Sequence, residues 1–197
     1  PFAGTRAAAD ADADVVGRED DYHAGTLLLA VPDMDGDGRA DVVVASDLRP
    51  HWAYGDFSEV NRARVVPLVA PPAHLDDALA VIDATEAHNF AAIAPGGDLD
   101  GDGAPDLLLG SPYSDHGATD AGAVWVLPGS TRGAVGLDAA WRVVVGPDAD
   151  ARFGWAVAGG VDIDADTVPD LVVTAHSGTS SAAYGAALFA ISGATLR

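Results

Sequence analysis

The chain has 197 residues, with 30 acidic residues against ten basic ones and a formal net charge of −20. Such a surface repels nucleic acid and anionic membrane, so neither is an expected partner. Nearly half of the residues are apolar, enough for a core, yet no apolar run approaches the ~20 residues of a membrane helix, so no membrane insertion is expected.

The acid is 27 Asp and three Glu, and every basic residue is Arg. Solvated helices favour Glu, whereas turns and cation loops favour Asp. Coding bias or a salty habitat accounts for scattered Asp but not for clusters of it. Cysteine is absent, which a domain with an adequate core tolerates in any compartment. The chain opens at Pro1 with no methionine and no secretory leader. That is expected of a processed or excised piece, so the missing leader does not argue for the cytoplasm.

In chain order, Val16-Gly17 and Gly25 lead to a nine-residue segment, DMDGDGRAD, at Asp33. Val42-Val43-Val44 and then Ala45-Ser46 follow it at once. Residues 47–72 are irregular, with Trp52, Tyr54 and Phe57 where a third strand is expected. Residues 74–88 have the composition of a short helix, but their place in the repeat makes AVID a strand. A second copy, DLDGDGAPD, starts at Asp98 and runs into Leu107-Leu108-Leu109 and Gly110-Ser111. GAVWVLPGS follows from Gly122, alternating and closing on glycine. Val145-Gly146 and Gly154 then stand where Val16-Gly17 and Gly25 stood, ahead of a third copy, DIDADTVPD, at Asp162. It runs into Leu171-Val172-Val173 and Thr174-Ala175, and GAALFAISG follows from Gly185.

From Asp33 to Asp98 is 65 residues and from Asp98 to Asp162 is 64. The period predicts repeats at about 15–75, 76–139 and 140–197, each of four strands, with the third built from strands near 141–145, 155–159, 171–175 and 186–191. Strand-only units of this size with glycine and aromatic marks predict an all-β fold of propeller blades.

Each nine-residue copy places carboxylates at positions 1, 3, 5 and 9. These are Asp33, Asp35, Asp37 and Asp41, then Asp98, Asp100, Asp102 and Asp106, then Asp162, Asp164, Asp166 and Asp170. Alternate residues of a curled loop point to one centre, and a backbone carbonyl at position 7, from Arg39, Ala104 or Val168, completes the set. Gly38 and Gly103 at position 6 permit the sharp turn. Hard, all-oxygen ligation of flexible geometry predicts calcium, up to three ions, in preference to zinc, copper or magnesium. Four clustered carboxylates repel one another strongly unless a cation offsets them. In the third copy Ala165 and Thr167 replace glycines, and a β-branched residue resists positive φ, so this site is expected to be the weakest. An EF-hand needs flanking helices and a Glu at position 12, where this chain has Val44, Leu109 or Val173.

Together with their flanks, these segments resemble the FG-GAP repeat of integrin α-like β-propellers. Phe153-Gly154 supplies the name-giving pair, Gly110-Ser111-Pro112 stands for Gly-Ala-Pro, and residues 122–127 supply the following strand. The first repeat departs with Ala24-Gly25 and the second with Asn89-Phe90. The resemblance implies three four-stranded antiparallel blades, an arc or fragment of a larger propeller of about seven blades. It also implies calcium loops on the face opposite the ligand surface, with a structural metal.

No catalytic constellation accompanies the loops. The six histidines show no ligand spacing, Ser111 and Ser130 lack a nucleophile elbow, and no phosphate-cradling glycine loop is present. Trp52, Tyr54, Trp125, Trp141 and Trp155 are expected in core or strand faces rather than stacked on sugars. The expected function is a non-catalytic, calcium-stabilised binding or adhesion module outside the cell, secreted or on its surface. Its expected partners are a protein or glycan ligand and further propeller blades. The alternatives are the propeller part of a secreted enzyme acting on polysaccharide or lipid, and a structural spacer.

Overall fold

The computed structural model of the chain describes residues 14–17, 24–46, 62–84, 91–176 and 185–197. These form twelve strands and three short 3₁₀ turns, at 75–77, 137–139 and 193–195. The all-β expectation holds among them.

The first sheet contains β1 (Ala24–Val31), β2 (Asp41–Ser46), β3 (Arg62–Val66) and β4 (Ala80–Asp83), paired antiparallel in that order. The AVID segment is therefore a strand, as its place in the repeat predicts. The third strand lies at the end of the irregular stretch. Trp52, Tyr54 and Phe57 fall outside the described residues, as does Asn89-Phe90. The second sheet contains β5 (Ala92–Gly97), β6 (Asp106–Ser111), β7 (Ala123–Leu127) and β9 (Arg142–Val145). The third contains β10 (Phe153–Val161), β11 (Asp170–Ala175) and β12 (Ala187–Ile191).

Two strands depart from the expected four-by-three arrangement. The strand predicted at 141–145 to begin the third repeat pairs instead with β7, so it closes the second sheet. The Trp141 N–H starts this pairing by donating to the Val126 carbonyl at 2.9 Å. Between β7 and β9 the chain crosses to the first sheet, where β8 (Gly133–Gly136) lies parallel to β4 as a fifth strand. The described sheets thus hold five, four and three strands.

Packing explains the composition of the strands. β6 and β7 are buried at every position. Leu107, Leu109, Trp125 and Leu127 join Val43, Val65 and Ile82 in a core shared with the first sheet. Leu108, Val124 and Val126 join Phe153, Leu171 and Val173 in a core shared with the third. The middle sheet is apolar on both faces because a sheet covers each. In β12, by contrast, exposure alternates, and Leu188 is 67% exposed.

The third sheet docks on the second through close approaches at glycines, and the Gly110–Gly154 pair is one of them. Gly154 has φ +90°, and a Cβ at Gly110 would lie 2.3 Å from the Gly154 carbonyl oxygen. Only glycine lets the two backbones approach this closely. Phe153 beside it is buried edge-to-face against Phe189, with ring centroids 5.4 Å apart. Gly25 also has positive φ, but nothing described lies within 4 Å of a Cβ built there.

Candidate metal loops

Each loop joins the first two strands of its sheet, β1 to β2, β5 to β6 and β10 to β11. All three fold alike, because their carboxylates tie down the turn's own N–H groups. At position 1, Asp33 accepts from Gly36 through Oδ1 and from Gly38 through Oδ2, both at 2.7 Å. Asp98 accepts likewise from Gly101 and Gly103, and Asp162 from Ala165 and Thr167. At position 3, Asp35, Asp100 and Asp164 each accept from the N–H two residues on. At position 5, Asp37, Asp102 and Asp166 do the same with Arg39, Ala104 and Val168, each at 2.8 Å. These are Asx turns in series, the local geometry Asp favours. At position 9, Asp41, Asp106 and Asp170 fold back to accept from Met34, Leu99 and Ile163, at the second position of the loop.

All twelve predicted carboxylates therefore take part in the turns. In each loop three of them converge, with ligand oxygens within 4.8 Å of one another: Asp33, Asp35 and Asp37; Asp98, Asp100 and Asp106; Asp162, Asp164 and Asp170. Each cluster could hold a metal ion. The carboxylate oxygens accept one or two loop N–H bonds and keep lone pairs for a ligand. An all-oxygen, anionic donor set of this kind fits a hard cation.

Ala165 and Thr167 adopt the left-handed turn all the same, at φ +66° and +75°, where the other two loops have glycine. That conformation costs a non-glycine residue ~1–2 kcal/mol.

Two glycines that sequence reasoning passed over complete the second and third loops. Gly129 donates its N–H to Asp106 Oδ1, and Gly193 donates to Asp170 Oδ1, each at 2.9 Å and each 23 residues on. A Cβ at Gly129 would meet the Pro105 carbonyl oxygen at 2.1 Å, and one at Gly193 the Pro169 oxygen at 1.9 Å. The signal was present as the closing glycine of GAVWVLPGS and GAALFAISG. In the first sheet Leu68 occupies this place, two residues past β3, and is 55% exposed. Among the described residues it makes no such bond to Asp41.

Electrostatics separate the loops. The Gly38 N–H, ahead of three others, holds Asp33 below the usual carboxylate range. Burial pushes Asp41 up. Burial pushes Asp106 to about 6, against three loop and latch N–H bonds. Asp170 is held below the usual range, first by Gly193 and then by Ile163.

The opposite end of the sheets is aromatic. Trp155, 42% exposed, lies edge-on to Tyr113 at 6.2 Å and beside the His176 ring at 5.3 Å. The Arg152 guanidinium sits 5.1 Å over Tyr113. Trp125 is core, as expected, and Trp141 is partly buried beneath Arg142.

The FG-GAP repeat family matches residues 89–127 and 153–188. Integrin alpha pat-2 of Caenorhabditis briggsae is 31% identical over 185 residues, covering 85% of this chain and 14% of that protein. Integrin alpha-IIb of Homo sapiens is 33% identical over 162 residues, covering 80% and 15%. Integrin alpha-PS2 of Drosophila melanogaster is 28% identical over 177 residues, covering 83% and 12%. The chain thus spans about one seventh of the length of these relatives. Among its described residues no helix is long and apolar enough to cross a membrane.

Proposed function

The chain belongs to the FG-GAP repeat, integrin α-like β-propeller family, and on that premise we propose that it is a calcium-stabilised, non-catalytic binding or adhesion module working outside the cell. The observation that carries the proposal is the repetition of one carboxylate turn at the same place in three consecutive sheets. In this proposal calcium is held by Asp33, Asp35, Asp37, Asp41 and the Arg39 carbonyl in the first loop. The second uses Asp98, Asp100, Asp102, Asp106 and the Ala104 carbonyl. The third uses Asp162, Asp164, Asp166, Asp170 and the Val168 carbonyl. The ion's chemistry is charge neutralisation. The chain's own groups do the rest, since the N–H bonds already fix the carboxylates before the ion arrives, which lowers the ordering cost of binding.

Affinities of ~10⁻⁴ to 10⁻³ M, usual for extracellular calcium modules, match millimolar calcium outside cells. The ligand, a protein or a glycan, is assigned to the end of the sheets away from the loops. Support comes from the aromatic cluster of Tyr113, Trp155 and His176 with Arg152 beside it, since exposed aromatics and Arg are the residues that anchor interfaces. Further blades, of the same or another chain, complete the propeller. The carboxylates that could serve hydrolysis are engaged in the turns, which favours binding over the secreted-enzyme alternative.

The test is a calcium titration followed by a ligand screen. Calorimetry is expected to give up to three calcium events and little response to magnesium. A glycan and matrix-protein array is then run beside a polysaccharide-lyase and lipase screen. Turnover without retention on the array would replace the proposal with the enzyme alternative.

A further inference from the structure

Two turns outside the loops tie neighbouring loops together. After β7, Gly129 latches Asp106 of its own sheet. Three residues on, Arg132 Nη1 donates to the Gly129 and Thr131 carbonyls at 2.8 Å, and its Nη2 donates to the Met34 carbonyl of the first loop at 2.7 Å. After β12 the arrangement recurs. Gly193 latches Asp170, while Arg197 donates to Leu99 through Nε at 2.9 Å and to Asp98 through Nη2 at 3.0 Å. Both arginines lie 98 residues from the carbonyl at the second loop position that they reach.

The receiving peptide is mechanically placed. The Leu99 carbonyl and the Asp100 N–H belong to one planar trans unit and point in opposite directions. The carbonyl accepts from Arg197 while the N–H donates to Asp106 Oδ2 at 3.2 Å. Arg197 therefore fixes the unit that both carries Asp100 and pins Asp106. In the third loop, Asp164 makes the same bond to Asp170 at 3.3 Å, with no arginine on the Ile163 carbonyl among the described residues. The guanidinium is thus not needed to shape the turn. What it adds is a link to the following sheet.

We propose that the turns at 128–132 and 192–197 couple neighbouring cation loops in series, with Arg132 and Arg197 as the positioning residues. Filling the third loop firms the Asp170–Gly193 latch, which steadies Arg197 on the second loop. Filling the second loop firms Asp106–Gly129, which steadies Arg132 on the first. Linkage makes the effect reciprocal. This inference rests on the cation sites proposed above. Charge alone predicts the opposite sign, because a guanidinium repels an ion in the loop it touches and its removal raises affinity.

The experiment reads each loop from the amide resonance of its own position-6 residue, Gly38, Gly103 or Thr167, during calcium titration of the whole chain. Arg197→Lys keeps the charge and loses the two-point grip. It is expected to weaken the second loop by roughly fivefold or more, within the usual range of coupling, and to weaken the first, through the second, by less. Arg132→Lys is expected to weaken the first loop and, by reciprocity, the second, with the third least affected. Arg197→Met is expected to weaken the second loop too, despite the charge it removes. Disabling the third loop with D162N/D164N is expected to weaken the second loop in the native chain and to add nothing in Arg197→Lys, a double-mutant cycle. An unchanged or tighter second loop in Arg197→Lys, or an equal fall in the first and second loops, overturns the proposal. If no resonance responds to calcium, the cation sites fail and the coupling of ions fails with them. The mechanical link is then judged in chelator by hydrogen exchange at the Asp100 amide. Arg197→Lys accelerates that exchange if the link exists and leaves it alone if it does not.

Discussion

The loop of the middle sheet and the loop of the third sheet make the same bonds to their last carboxylate, yet the electrostatics of that carboxylate run in opposite directions. Asp106 and Asp170 both accept from the second and third loop residues and from a latch glycine. Both have little exposed surface. Burial nevertheless raises Asp106 to about 6, while hydrogen bonds hold Asp170 down. The difference lies beyond the loop. β10 packs on β5 and β6, and Pro169 and the Arg197 side chain close over the middle loop's approach. No described sheet covers the outer face of the third, where Ile163 is 55% exposed and its counterpart Leu99 is fully buried. In this fold a loop's sequence sets its shape, and the neighbouring sheet sets the cost of its charge.

The largest expected effect breaks the comparison by removing what both loops share. At ten times the dissociation constant each site contributes about 1.4 kcal/mol, so three independent sites contribute about 4 kcal/mol. For a chain of this size that is on the order of 10 °C in Tm. Calorimetric melting in chelator is expected to fall by about that much relative to millimolar calcium, with magnesium restoring little. Equal melting in the two conditions would count against structural cation sites.

A smaller effect turns the middle loop into an outer one. Gly110→Ala sets a Cβ against the Gly154 carbonyl and forces the third sheet away from the second. The expected loss is about 3 kcal/mol, at the upper end of overpacking costs, measured by denaturant unfolding. Gly185→Ala, where nothing among the described residues lies within 4 Å, is expected to stay within about 0.5 kcal/mol. Similar losses for the two variants would show that sheet docking does not depend on the glycine pair.

How far the sequence carried depends on range along the chain. The turns were legible because each is nine consecutive residues whose carboxylates bond to N–H groups two to seven positions away. Phe153-Gly154 was legible as a motif, and so was the apolar run at 107–109. Sheet membership was not. The residues of β9 read as a strand, but nothing local says that their partner is Val124 rather than β10. β8 carries only Gly, Ala and Val, with no alternation to mark it. Leu68 in place of a latch glycine, and arginines acting across 98 residues, became visible only when the sheets were stacked.

A milder change sharpens the comparison. Thr167→Gly removes left-handed strain at φ +75° on an exposed turn. The relief of ~1–2 kcal/mol is partly offset by glycine's greater freedom in the unfolded chain. A net gain of about 0.5–1 kcal/mol in melting stability is expected, with a tighter third loop in calcium titration. Adding Ala165→Gly, at φ +66°, equalises strain at both positions, and any remaining difference between the two loops then comes from sheet packing. A loss of stability in Thr167→Gly would mean that the threonine makes a compensating contact.

The smallest effect is a matter of sign. The pKa of Asp106 in the folded chain is about 6, above its ordinary value of 3.8. Between those values the folded chain keeps a proton that the unfolded chain has released, so stability from this group is full below 3.8 and is lost as pH rises through about 6. Asp170 is shifted the other way. Its contribution is present above its ordinary value and is lost only as pH falls below it, so it is flat between pH 5 and 7. In chelator, then, Asp106→Asn is expected to remove a stability decrease between pH 5 and 7, and Asp170→Asn is expected to leave the slope as it was. Calcium reverses the trend in the middle loop, because the ion binds the carboxylate and competes with the proton, so affinity there rises through the same window. Melting curves of both variants at pH 5, 6 and 7, with and without calcium, read both signs. An identical pH slope in Asp106→Asn and the native chain would mean that the third sheet does not desolvate the middle loop.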